Sequence, residues 1–326
     1  MKFRTEINIP KSKTQFEHCD KILTLGSCFA ENISQYFNFY KFSILENPFG
    51  VLYNPVSIYN SLKFTVEDTQ FVKEDLIYDQ SEYHSFFHHS DFSHHDVNEC
   101  LQKINNNFKI TNKFLKSCDK IIITFGTSFV FKHKEKNIIV SNCHKIPQSE
   151  FERFRLTVEE TKNYLQKIIN QLQIINDKLK IIFTVSPVRH WKDGAVDNQI
   201  SKAILLLAVN EIVNKNDNYT YFPSYEIMMD DLRDYRFYAE DLIHPNKIAV
   251  EYIWEKFSEI HFTESCFEIM NEVKKIAQAF KHRPRNINSE KHKEFIKANI
   301  ELINKLTDKF PHLNFENELK YFNSIL

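Results

Sequence analysis

The sequence contains very little glycine, with 4 glycines among 326 residues against 30 phenylalanines. Average usage would be about 7% glycine, so the few that remain are expected where a Cβ atom cannot be tolerated. Gly26 and Gly126 each follow a short apolar run, whereas we interpret Gly194 as an ordinary turn residue. With so few glycines, neither the phosphate-binding loop of ATP and GTP enzymes nor the dinucleotide-binding loop can form, and we expect no such cofactor.

The chain also lacks an excess of charge, a long apolar run and paired cysteine motifs. Its formal net charge of −1 gives no electrostatic reason to expect a nucleic-acid partner or an anionic membrane. No apolar run is long enough to span a bilayer, and the N-terminus lacks the apolar segment of a secretory signal, so we predict a cytoplasmic protein. Six dispersed cysteines without a Cys-x-x-Cys pair favour free thiols.

The order of apolar patterns predicts an α/β fold with a mostly parallel central sheet. Four nearly all-apolar runs are typical of buried strands: 21–25, 120–125, 180–185 and 219–222. Helical periodicity separates them, which favours three layers with helices on both faces of the sheet. After about residue 261 only helical patterns remain. We therefore predict an α/β domain over residues 1–262 and a C-terminal helical extension over 263–326, which packs on the core, covers the site or forms a homodimer.

Two separated segments carry side chains suited to acyl transfer. The first strand-like run ends at Gly26, and Ser27 and Cys28 follow where a helical pattern begins. Backbone N–H groups at a helix N-terminus stabilise an oxyanion and lower the pKa of a thiol. On its own, this segment is better explained by Ser27 capping the helix and Cys28 packing as a small apolar side chain.

The second segment places Asp241 and His244 three residues apart, just before another helical pattern. A histidine in this position can act as a general base, and an aspartate on the same loop can orient it. Pro245 restricts the backbone of His244 to extended geometry. The spacing alone is common by chance. Its combination with an early nucleophile turn after the first strand predicts a single catalytic pocket.

This combination resembles the SGNH/GDSL hydrolase superfamily, which has a Gly-Asp-Ser block after its first strand and a late Asp-x-x-His block. The segment Gly26-Ser27-Cys28-Phe29-Ala30 is similar to the signature that names the GSCFA family. Further similar segments are 47–50, 53–55, 142–145, 186–190 and 221–226. The resemblance covers roughly residues 20–260. It implies an SGNH-like fold and an esterase-like activity, and it leaves the substrate open.

The resemblance also implies roles for individual residues. Counted from Gly26, the position of the superfamily nucleophile is Cys28, so Cys28 is the first choice and Ser27 the alternative. The helix N-terminus and His244 are expected to bring the thiol pKa from about 8.5 towards neutrality. The oxyanion donors are expected to be the Cys28 amide, Gly50 and either Ser128, which stands where the superfamily has asparagine, or Asn142.

The densest group of histidines lies within 84–95, where five imidazoles occur in twelve residues. Such a group could bind zinc or iron, but adjacent histidines do not share a helix face, so only a loop could gather them. Our interpretation is a loop that rims the site, with His84 as a substrate contact and a metal-dependent enzyme as the minority alternative.

Arg189 and His190 follow the strand-like run 180–185, at the same predicted sheet edge as Gly26. The arginine could bind a carboxylate or phosphate group of the substrate, or form an ion pair with the acidic segment 230–234. The sequence does not favour one role over the other. The imidazole of His190 is a second candidate for the general base.

Together these patterns predict a hydrolase or acyltransferase that acts on an ester or thioester through a covalent acyl-enzyme. A small acylated molecule, such as an acylated carbohydrate, is the expected substrate, with no cofactor. The main alternative is a binding module that kept the fold and lost the chemistry.

Overall fold

The computed structural model describes residues 4–287 and 289–326, and its centre is a five-stranded sheet with all strands parallel. The strand order is β10-β9-β5-β1-β2. The bounds are β1 Lys21–Gly26, β2 Ser43–Glu46, β5 Lys120–Phe125, β9 Lys180–Val185 and β10 Tyr219–Phe222. Four of these strands match the four predicted apolar runs, and the predicted α/β class is confirmed.

Helices cover both faces of the sheet. The larger hydrophobic cluster joins one face to α2 Pro55–Val66, α3 Val97–Leu115, α4 Val158–Ile175 and α5 Gly194–Val213. The second cluster joins the other face to α1 Cys28–Phe39, α6 Ser224–Met229 and α7 Lys247–His261. Successive residues of a strand point to opposite faces of the sheet and so belong to different clusters. In β5, Ile121 and Ile123 belong to one cluster and Ile122 belongs to the other.

Five short strands form two small antiparallel sheets above the main one. They are β3 Ile77–Asp79 with β4 Glu82–His84, and β6 Phe129–His133 with β7 Ile138–Val140 and β8 Phe151–Arg155. Hydrogen bonds from the amides of Ser141 and Asn142 to the carbonyl of Phe86 join the two sheets. The histidine-rich segment is part of this layer.

The C-terminal region is helical, as predicted, with α8 Glu264–Lys281, α9 Glu290–Lys309 and α10 Glu316–Asn323. These helices have a hydrophobic cluster of their own and also pack on the α/β part. The contacts include an ion pair between Lys41 and Glu318 at 2.7 Å and a hydrogen bond between the rings of His18 and His312 at 3.0 Å. Packing on the core, one of the predicted roles of this extension, is therefore present. No helix in the described ranges is both long and apolar enough to cross a membrane.

The turn after β1 requires glycine. Gly26 has a φ of +134°, and a Cβ atom there would overlap the Thr124 carbonyl of the neighbouring strand. The Gly26 amide donates to Asn47 Oδ1 at 2.9 Å, and the Ser27 amide donates to the Thr124 carbonyl at 3.1 Å. The start of α1 is therefore fixed against two neighbouring segments.

Gly26→Ala is expected to lower the free energy of unfolding by about 2–5 kcal/mol, because backbone strain and a steric overlap add together. Gly194→Ala is the matched control. Gly194 also has a positive φ of +73°, but nothing lies within 4 Å of its added Cβ. The control carries backbone strain without a steric overlap and should cost about 1–3 kcal/mol, because Gly194 combines its positive φ with a ψ of 168°, a region that residues with a Cβ rarely adopt. Urea denaturation checks both values, and equal losses would contradict the role given to the Gly26 turn.

Candidate functional site

The carboxyl ends of β1, β5 and β9 meet at one rim of the sheet, and the segment around Tyr53 lies across it. The amide of Leu52 donates to the Gly26 carbonyl at 2.8 Å, and the amide of Gly126 donates to the Tyr53 carbonyl at 2.7 Å. Ligands of open α/β sheets commonly bind beyond the carboxyl ends of the strands. The segment that begins at Gly26 and the one that begins at Ser186 both start at this rim.

The two candidate nucleophiles differ in access to solvent. Ser27 is the N-cap residue of α1, is 1% exposed, and its Oγ makes no hydrogen bond in the described structure. Cys28 is the first residue of α1 and is partly exposed. A nucleophile must reach its substrate, so Cys28 is better placed than Ser27.

Burial raises the pKa of the Cys28 thiol above its usual value, and the nearby carboxylate of Glu31 raises it further. The backbone N–H groups of Phe29 and Cys28, together with the Lys202 ammonium, act in the opposite direction without reversing the shift. The prediction of a thiol pKa near neutrality is therefore wrong, because desolvation outweighs the helix N-terminus. The sulfur is protonated at neutral pH and needs a base.

Asp241 and His244 form a hydrogen-bonded pair in the loop before α7. Asp241 Oδ2 lies 2.6 Å from His244 Nδ1, and its Oδ1 accepts the backbone amides of His244 and Ile243, both at 2.9 Å. These two amide hydrogen bonds, followed by the imidazole contact, lower the pKa of Asp241 to about 2. An ionised carboxylate thus orients Nδ1 of His244, whose Nε2 makes no hydrogen bond within the described residues.

His190 and Tyr53 lie between the two halves of the site in a chain of ring contacts. The ring of His190 packs edge-on against His244 at 5.8 Å and against Tyr53 at 5.9 Å. Tyr53 follows Leu52, whose amide donates to the carbonyl of Gly26, two residues before Cys28. Burial raises the pKa of Tyr53, and the negative charges of Cys28 and Glu31 add to this shift. Cys28 and His244 share no hydrogen bond in the described residues. Catalytic hydrogen bonds often tighten only when the substrate binds.

The predicted oxyanion donors are largely engaged elsewhere. The Gly50 amide donates to the Asn47 carbonyl at 2.7 Å, and the fully buried Ser128 hydroxyl donates to Ser201 Oγ at 3.0 Å. Asn142 accepts the His144 amide at 3.0 Å through its side-chain oxygen, which leaves its side-chain N–H groups, the predicted donors, without a partner in the described residues. The geometry thus gives Gly50 and Ser128 structural roles in place of the predicted ones. The amide of Cys28, in the first turn of α1, remains the best-placed donor.

The histidines of the small sheets are committed to internal hydrogen bonds. His84 is 7% exposed, with Nδ1 2.7 Å from Ser93 Oγ and Nε2 3.1 Å from the Asp79 carbonyl. Its geometry indicates a structural role in place of the predicted substrate contact. No group of three or more His, Cys, Asp or Glu side chains in residues 4–287 and 289–326 is arranged to hold a metal ion, so the metal alternative gains no support.

Lys202, which was not predicted as a site residue, is fully buried beneath the rim. Its ammonium donates to the Gly126 carbonyl at 2.8 Å and to the Ser186 carbonyl at 2.7 Å, and so joins the ends of β5 and β9. Burial lowers its pKa to about 7, Cys28 raises it, and Arg189 lowers it. A signal was present, because Lys202 shares the face of α5 that carries Leu205 and Val209, where an apolar residue is expected.

Lys202→Met is expected to move the pH profile of Cys28 alkylation to higher pH. The two charged forms favour each other, because the ammonium lowers the pKa of the thiol and the thiolate raises the pKa of Lys202, and the variant loses this mutual stabilisation. The rate of iodoacetamide labelling at Cys28, followed by peptide mass spectrometry from neutral to alkaline pH, measures this shift. Cys143 is the internal control, since its nearby cation is Lys192.

In Lys202→Met, two buried carbonyls lose their hydrogen-bond donor, and each loss lowers the free energy of unfolding by about 1–3 kcal/mol. Circular dichroism must therefore show that the variant is folded before the labelling rates are compared. An unchanged profile at Cys28, or equal shifts at Cys28 and Cys143, would remove Lys202 from the electrostatics of the site.

Comparison with known protein families gives two matches. The model of the GSCFA family matches residues 21–257, which is most of the chain. The model described as GSCFA domain protein, C-terminal domain, matches residues 273–326, which include the second half of α8 and all of α9 and α10. No curated protein matches the chain.

Proposed function

The chain belongs to the GSCFA family, and on that premise we propose that it is an acyl-transfer enzyme of the SGNH type with Cys28 as its nucleophile. The observation that carries the proposal is the Asp241–His244 pair. The Nε2 atom of His244 makes no hydrogen bond within the described residues, and its ring packs against His190, which in turn packs against Tyr53. The partly exposed Cys28 begins α1 at the same rim. An ester or thioester of a small molecule is the proposed substrate, with acylated carbohydrates as one class, and the cytoplasm is the proposed location.

The proposed reaction starts with proton transfer. Nε2 of His244 takes the proton of the Cys28 thiol as the sulfur attacks the substrate carbonyl carbon. Asp241 stabilises the resulting imidazolium, while the negative carbonyl oxygen faces the Cys28 amide and the positive end of α1. The intermediate collapses by breaking the bond to the leaving group, which takes the proton from His244. A thioester on Cys28 remains.

The second half of the reaction frees the sulfur. Water, or another acceptor hydroxyl, loses its proton to His244 and attacks the thioester carbonyl. The carbon–sulfur bond then breaks, and the proton returns from His244 to the thiolate. No redox step or metal is needed, and the buried Lys202 stabilises the thiolate when it forms and when it leaves.

The burst kinetics of p-nitrophenyl acetate test this proposal. We expect a rapid release of p-nitrophenol in an amount equal to the enzyme, followed by slower steady turnover limited by thioester hydrolysis. Treatment with iodoacetamide should abolish both phases. A release no faster than in buffer, or one unaffected by alkylation, would overturn the proposal.

A non-catalytic binding module is the second candidate, and one observation favours it. The amide of Gly50 and the hydroxyl of Ser128, which the resemblance casts as oxyanion donors, both make internal hydrogen bonds. Loss of one such donor costs about 10²–10³-fold in turnover. The absence of any burst would favour this candidate.

A further inference from the structure

A cavity of about 610 Å³ opens beside the Asp241–His244 loop. Its lining combines Arg189 and Asp241 with aromatic and apolar side chains, chiefly Trp191, Met228, Tyr235 and Tyr238. Trp191 is 55% exposed and Tyr235 is 72% exposed, so large apolar surfaces stand open at its mouth. The volume suits a small molecule that is partly apolar.

Arg189 has no carboxylate partner in the described residues, and its guanidinium makes no hydrogen bond there. The acidic segment 230–234 predicted as an alternative partner is engaged elsewhere: Asp230 pairs with Arg233, Asp234 with Arg236, and Asp231 accepts the hydroxyl of Tyr252. The predicted ion pair of Arg189 therefore does not form. A partly buried guanidinium has five N–H donors, and leaving them unmet is costly.

Other groups around Arg189 add positive charge and a free donor. Tyr238 lines the same cavity as Arg189. The positive charge of Arg189 adds to the burial that lowers the pKa of Lys202, and it opposes the burial that raises the pKa of Tyr225 and Tyr238. The Tyr225 hydroxyl donates to Gln199, whereas that of Tyr238 has no hydrogen-bond partner in the described ranges. The cavity thus offers the N–H fork of Arg189 and the hydroxyl of Tyr238, neither with an acceptor in the described ranges, in a lining that also includes the carboxylates of Asp234 and Asp241.

We propose that this cavity binds an anionic group of the substrate, a carboxylate or a phosphate, through the guanidinium of Arg189 and the hydroxyl of Tyr238. The planar fork of an arginine matches two oxygens of either group. The apolar lining then carries the part of the substrate between the anion and the reacting carbonyl. The assignment of this anionic group to a substrate rests on the proposed acyl-transfer function. Binding of an anion in the cavity does not depend on that function.

Calorimetric titration with glutarate and with inorganic phosphate tests the binding directly. We expect the unmodified protein to bind one of these anions and Arg189→Gln to bind it at least about tenfold more weakly, as expected for a lost charge-assisted contact. The anion that binds identifies the group. Glutaramide, which is uncharged, should not compete.

Arg233→Gln is the matched control, because Arg233 lines the same cavity but is paired with Asp230 and well exposed. It should change affinity by less than about threefold. Equal losses in the two variants, equal affinity in Arg189→Gln and the unmodified protein, or no binding of either anion would overturn the inference.

The titration needs no turnover, so the two proposals can fail separately. Binding that depends on Arg189 without any p-nitrophenol burst would retain the anion site and remove the enzyme. A burst without anion binding would do the reverse. If both stand, Arg189→Gln should raise KM for mono-p-nitrophenyl glutarate more than KM for p-nitrophenyl butyrate, whereas Arg233→Gln should change the two alike.

Discussion

Cys28→Ala is expected to lower the turnover of p-nitrophenyl acetate by at least about 10³-fold, because no covalent intermediate can form without the sulfur. Ser27→Ala should stay within about threefold of the unmodified protein, since the buried Ser27 hydroxyl makes no hydrogen bond that could be lost. Each variant removes one side-chain heavy atom, and the two positions are adjacent at the start of α1. Each variant is therefore a control for the packing change that the other causes.

Initial rates at saturating ester give this comparison, with thermal denaturation as the check on folding. The reverse order, in which Ser27→Ala abolishes turnover and Cys28→Ala retains it, would assign the reaction to a hydroxyl. It would also require the Ser27 side chain to leave its buried position.

His244→Ala is expected to lower turnover by about 10²–10⁴-fold, the usual contribution of a positioned general base. The effect should be large here because burial keeps the Cys28 thiol protonated at neutral pH. Asp241→Asn should also reduce turnover, since an amide cannot stabilise the imidazolium as a carboxylate does. His190→Ala is the control: its ring contacts His244, but it holds no carboxylate. A larger loss in His190→Ala than in His244→Ala would transfer the role of base to His190.

The lowered pKa of Asp241 fixes the pH range in which its carboxylate loses its charge. The pKa of Asp241 is lowered to about 2, so its carboxylate is ionised in the folded chain at every pH well above that value. The stabilisation that the folded chain gains from this charged carboxylate is complete above about pH 4, the ordinary pKa of an aspartate. It is lost only as the pH falls towards 2. A fall in activity between neutral and mildly acidic pH therefore cannot come from protonation of Asp241, so the pH–rate profile of Asp241→Asn should still show such a fall.

The central strands could be predicted because each is buried on both faces and leaves an almost unbroken apolar run. The edge strand β2, Ser43–Glu46, was missed because none of its residues is fully buried, and its sequence shows no apolar run. Thr157 and Glu160 form a capping box at the start of α4. It could be recognised because both partners lie within one turn of the same helix.

The site was predictable only where the interacting groups are close in sequence. The contact between Asp241 and His244 follows from a spacing of three residues. The burial of Ser27, the raised pKa of Cys28 and the contacts of Lys202 depend on where distant strands end. For the same reason, the sequence could not choose between an ion pair and a free guanidinium at Arg189.

The most direct test of Cys28 as nucleophile is mass spectrometry of the protein after brief exposure to p-nitrophenyl acetate, followed by peptide mapping. The account predicts one added acetyl group, on Cys28, which neutral hydroxylamine removes as it does other thioesters. The group should be absent from Cys28→Ala and strongly reduced in His244→Ala. An acetyl group on Ser27, acetylation spread over several residues, or an unmodified Cys28 would contradict it.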